Sequence, residues 1–84
     1  MPENKKNTEP RLAAIGARIR ELRSSAGYTS HEVFAWEKGL NRVQYWRMEN
    51  GCNMTMTTFL RICDIFGVTP EDFFKGISLS DIHR

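Results

Sequence analysis

Residues 39–51, Gly-Leu-Asn-Arg-Val-Gln-Tyr-Trp-Arg-Met-Glu-Asn-Gly, restrict the fold more than any other stretch. Gly39 suits a turn, Asn41 can cap a helix by accepting a backbone N–H, and Gly51 can take the left-handed conformation that ends one. The spacing therefore predicts a helix over Arg42 to Asn50. Barely three turns long, it cannot hold its shape in isolation, so one face must be docked on neighbours. Tyr45 and Met48, three apart, form that face with Leu40. Arg42, Val43, Gln44, Trp46 and Arg47 fall largely outside it. A docked short helix with two arginines and a glutamine on its free face has the shape of something inserted into a major groove. An ordinary solvated surface has the same composition, so the surrounding chain has to decide.

Residues 1–10 are polar, contain two prolines and show no periodicity. They read as a disordered arm that carries Lys5 and Lys6. From Leu12 to about Ser25, Leu12, Ile15, Ile19 and Leu22 recur at helical spacing, with Arg18, Arg20 and Arg23 between them, and Gly27 ends the pattern. A second helix starts near Ser30 or His31. Thr29 or Ser30 can cap it, and Thr29 with Glu32 has the spacing of a capping box. Phe34 and Ala35 point inward, Val33 is on their flank, and Trp36 is expected at the rim of the core or against a partner. Lys38-Gly39 ends this helix, so only Gly39, Leu40 and Asn41 separate it from the next. Two short helices joined by so tight a glycine-containing turn form a helix-turn-helix unit. Thr55 is the expected cap of a fourth helix, whose Met56, Phe59, Leu60, Ile62, Cys63 and Phe66 make an apolar side broad enough for a central position. Gly67 stops it, and Thr69-Pro70-Glu71-Asp72 reads as the cap, first residue and acidic first turn of a fifth helix ending in Phe73 and Phe74.

Eighty-four residues provide one modest core. No run of 18 apolar residues is present, and the first ten residues have no apolar segment of the signal-peptide kind. Cys52 and Cys63 are not closely spaced and the only histidines are His31 and His83, so no metal site is expected, and both cysteines read as free thiols in a reducing compartment. Glu49, Asp64, Glu71 and Asp72 are not set as acid–base pairs, and no glycine-rich phosphate loop occurs, so the chain is not expected to be an enzyme or to hold a cofactor. Net charge is +2, but residues 1–47 have nine Lys/Arg against five Asp/Glu, and residues 48–84 three against five. The basic excess belongs to the half with the free-faced helix, which can orient a chain on a polyanion.

Taken in order, Ile19-Arg20-Glu21-Leu22-Arg23, Gly27, the helix ending at Lys38, Gly39-Leu40-Asn41, Arg47-Met48-Glu49-Asn50-Gly51, Phe59-Leu60-Arg61-Ile62-Cys63, Phe66-Gly67-Val68-Thr69-Pro70 and Phe73-Phe74 carry a wider likeness. Over about residues 12 to 76 the chain resembles the Cro/C1-type helix-turn-helix family, also called the XRE family, of phage repressors and bacterial transcription regulators. That resemblance implies an all-α, compact, five-helix lambda-repressor-like DNA-binding domain at 11–76, behind an arm at 1–10 and ahead of an extension at 77–84. It implies base contacts from Arg42, Val43, Gln44 and Arg47, and backbone contacts from Ser30, His31, Asn41, Asn50 and Gly51. Arg23 and Glu49 fall on a structural ion pair. Arginine suits the O6 and N7 of guanine, Gln44 adenine, and Val43 a thymine methyl. The chain departs from the pattern in one extra residue at Tyr28-Thr29, in the lack of Lys or Arg over 52–58, and in the large ring of Trp46.

The expected function is sequence-specific binding of double-stranded DNA by a small transcription regulator in the cytoplasm, at the nucleoid. A protein-interaction or antitoxin-like module on the same fold is the alternative. One short recognition helix covers one half-site, so a weak homodimer on a palindromic site is expected, with Phe73, Phe74, Ile77, Leu79 and Ile82 as its contacts. No membrane partner and no small-molecule ligand are expected.

Overall fold

The computed structural model describes residues 9–77, and among these it forms five helices in the order α1 (Pro10–Ser25), α2 (His31–Glu37), α3 (Arg42–Glu49), α4 (Met56–Phe66) and α5 (Pro70–Lys75). The fold is all-α. Short side chains fix most helix starts: Asn41, Thr55 and Thr69 each accept the N–H three residues on. One start differs from expectation, and another settles an open choice. α1 begins at Pro10, two residues before Leu12, because the Glu9 carboxylate accepts the N–H of Arg11 at 2.7 Å and proline is already set for a first helical position. The helical part thus begins before the boundary drawn at residue 11, and residues 1–8 of the arm lie outside the described residues. α2 is capped by Ser30, whose hydroxyl accepts Val33 N–H at 3.2 Å, and not by the Thr29 box.

The ends of α1 to α4 share one device, seen most clearly at Gly39. Its φ of 70° lies in the left-handed region, and this turns Leu40 back so that its N–H reaches the Ala35 carbonyl at 2.8 Å. Equivalent bonds join Tyr28 to Arg23, Cys52 to Arg47 and Val68 to Cys63. Each leaves an apolar residue leaning on the core after the helix has stopped.

The core comprises Ile19, Phe34, Ala35, Tyr45, Met48, Phe59, Ile62, Cys63 and Phe73. Phe34 stands at its centre, 5.2 Å from the Tyr45 ring, 5.1 Å from a stacked Phe66 and 5.1 Å from the edge of Tyr28. It thereby joins α2, α3 and α4 through one side chain. Phe59 meets Phe73 edge-to-face at 5.0 Å, which docks α5. Arg18 of α1 completes that docking by donating to the Phe73 carbonyl at 2.8 Å and to the Asp72 carbonyl at 3.1 Å. α4 is less completely enclosed than its composition suggested, since Met56 and Leu60 remain 67% and 44% exposed. Met56 is the first residue of α4, at the helix end, and Leu60 lies on the flank of the face formed by Phe59, Ile62 and Cys63.

Phe73 has no exposed surface, so it cannot be a contact between two copies: its ring is spent on closing the core of one. Phe74 and Ile77 are half-buried against the same core, and Leu79 and Ile82 lie outside the described residues.

Candidate nucleic-acid interface

The free face of α3 exists because the other face is anchored firmly. Tyr45 and Met48 are 0% and 3% exposed. Next to them the Glu49 carboxylate receives Arg23 Nε at 2.6 Å and Nη2 at 3.0 Å, a two-pronged pair between α1 and the end of α3 with side chains only 8% and 4% exposed. Such a pair positions elements more dependably than it stabilises them. Arg23 also donates to the Tyr28 carbonyl at 3.0 Å, and Arg20 reaches the Glu49 carbonyl at 3.3 Å. Burial pushes the Glu49 pKa up, but the hydrogen bonds and charge of Arg23, with smaller help from Tyr45 and Arg20, outweigh it and leave the carboxyl below its ordinary range. The Tyr45 hydroxyl is buried without a hydrogen bond of good geometry, yet near enough to Glu49 to feel its charge. Its pKa is raised, first by burial and then by that carboxylate.

Close approach of α1 and α3 depends on Gly16. A β-carbon there would stand 2.6 Å from the Glu49 carbonyl oxygen and 2.7 Å from that of Met48. Sequence reasoning did not single out Gly16, since a glycine inside a helix gives no local sign of what faces it.

Opposite the anchored face, Arg42, Val43, Gln44, Trp46 and Arg47 are all exposed. Arg42 is held loosely by Glu32 of α2 at 3.9 Å, with both side chains largely in solvent, so the pair contributes little to stability. Arg47 makes no ion pair among the described residues. Ser30 and Asn41, at the starts of α2 and α3, use one oxygen each for capping. The Ser30 O–H and the Asn41 side-chain N–H groups are left as donors. Asn50 spends one side-chain N–H on the Trp46 carbonyl at 2.8 Å. Gly51 is buried and its N–H donates to the Met48 carbonyl at 3.3 Å.

His31, Glu32, Arg42, Val43 and Trp46 line an open cleft where the start of α2 meets the outer side of α3. Trp46 was absent from the expected site. Its spacing from Val43, three residues along one helix, was the available signal. On the other side of the Glu32–Arg42 pair, Val33, Trp36 and Leu40 line a larger groove, about 640 Å³, with Glu37 at its edge. Trp36 is 83% exposed and so does not close the core.

This arrangement is a helix-turn-helix unit docked on a three-helix support. The sequence profile of the helix-turn-helix domain family matches residues 14–73, more than half of the 84-residue chain, and the chain belongs to that family. Comparisons with curated proteins and with solved structures give no match. Family and fold together support a DNA-binding regulatory role.

Proposed function

We propose that this chain is a small XRE-type transcription regulator that binds specific sequences of double-stranded DNA with α3 in the major groove. One observation carries the reading: α3 buries Tyr45, Met48 and Glu49 while presenting Arg42, Val43, Gln44, Trp46 and Arg47 to solvent. Arg42 and Arg47 take guanine O6 and N7, Gln44 takes adenine, and Val43 meets a thymine methyl. Ser30, His31 and Asn41 give register through phosphate contacts, with Asn50 adding its remaining donor. A helix of eight residues spans a single half-site, so two copies act on a palindrome. Phe74 and Ile77, half-buried at and just after the end of α5, are the described members of the expected contact between copies. Such a regulator works in the cytoplasm, at the nucleoid.

Selection of duplexes from a random pool, followed by footprinting, tests the proposal. A consensus of two related half-sites is expected. Enrichment of no sequence, or protection without a preferred site, overturns it. The exposed Trp36 favours a second reading, in which the fold is a protein-interaction module working through the Val33–Trp36–Leu40 groove. On that reading no duplex is selected.

A further inference from the structure

Val43 and Trp46 stand between the two arginines of α3, 53% and 48% exposed. They are apolar neighbours on the outward side of the helix, where the start of α2 adjoins them and leaves each about half exposed. With His31, Glu32 and Arg42 they line an open cleft of about 190 Å³, less than the ~300–1,000 Å³ typical of a small-molecule pocket. That space accepts the edge of a base. Among the groups that base pairs present in the major groove, the apolar one is the methyl at C5 of thymine, and 5-methylcytosine carries the same group on the same carbon. An indole and an isopropyl group driven into the groove either strip water from polar base edges without replacing its hydrogen bonds, which is costly, or meet such a methyl. Arg42 lines the same cleft, with its guanidinium largely in solvent and 3.9 Å from Glu32. There it can take the O6 and N7 of the adjacent guanine.

We propose that the Val43–Trp46 cleft reads the 5-methyl group of a pyrimidine next to a guanine bound by Arg42, and that Trp46 is a specificity-determining residue. This rests on the proposed entry of α3 into the major groove. The test uses the full chain and the duplex selected from a random pool. Each thymine of a half-site is replaced by deoxyuridine, and each cytosine by 5-methylcytosine, one position at a time. If thymine is the source, uracil at one position weakens binding about fourfold, the weight of one buried methyl group. If methylated cytosine is the source, methylation at one position strengthens binding about fourfold. In either case Trp46→Ala, and Val43→Ala as a second variant, erase the difference at that position while the melting temperature holds. Selective binding that ignores both replacements at every position overturns the proposal and leaves the proposed function standing. Failure to select any duplex overturns both.

Discussion

Replacing Gly16 by Ala sets two opposing effects against each other. A glycine inside a helix costs ~0.5–1 kcal/mol relative to alanine, so helix propensity alone predicts a more stable protein. Packing predicts the reverse. The added methyl would stand 2.6 Å from the Glu49 oxygen, 2.7 Å from the Met48 oxygen and 2.9 Å from the Glu49 carbonyl carbon, where ordinary contact begins at 3.4 Å. These are backbone atoms at the end of α3, tied to α1 by the Arg23–Glu49 pair, so no rotamer change relieves the clash. The helices must move apart by most of an ångström or the helix end must distort. Overpacking of this kind costs ~1–3 kcal/mol, which exceeds the propensity gain over most of its range. A net loss of ~1 kcal/mol lowers the melting temperature of a domain this size by ~4–8 °C. Calorimetry or a urea titration followed by circular dichroism reads the outcome, and binding to the selected duplex reports whether α3 has been displaced. A melting temperature equal to or above that of the parent would refute the close approach of α1 and α3.

Three further perturbations have defined outcomes. Glu49→Gln removes one charge of a buried pair, a change that costs ~3–5 kcal/mol when a partner is lost outright, so a lower melting temperature is expected before binding is considered. Because the folded carboxyl lies below its ordinary value of 4.5, the parent holds this stabilisation above that pH and loses it as pH falls through the depressed folded value. The Glu49→Gln protein should show a shallower loss of stability in acid, and equal acid slopes would show that Glu49 is not coupled to folding. Arg42→Ala and Arg47→Ala should each reduce discrimination between selected and random duplexes by ~1–3 kcal/mol with little change in melting. Equal weakening on both duplexes would instead make that arginine a phosphate contact. Burial raises the pKa of both Cys52 and Cys63, the latter with help from Asp64, so thiol titration of the folded protein at neutral pH should be slow. Rapid reaction of both would mean that the core opens easily around α4.

What could be read in the sequence were the features fixed within a few residues of themselves. Asn41, Thr55 and Thr69-Pro70 start helices because a cap satisfies N–H groups two or three positions away, and Gly39 ends one because backbone conformation is local. The inward face of α3 was legible from the spacing of Tyr45 and Met48, and its outward face followed. Ser30 and Thr29 were both eligible as cap, and the choice between neighbours one residue apart depends on how the incoming chain is held by Tyr28, which packs against Phe34. Tertiary structure alone could decide whether an apolar residue has a neighbour. Phe73 and Phe74 looked alike as candidates for a second copy, yet Phe59 and Arg18 reach Phe73 from α4 and α1 and enclose it completely. Met56 and Leu60 are as apolar as Ile62, yet Met56 at the helix start and Leu60 on its flank stay exposed while Ile62 is fully buried. Gly16 shows the limit most plainly: what calls for a glycine there is the backbone of Met48 and Glu49, more than thirty residues along the chain, and no local pattern encodes that meeting.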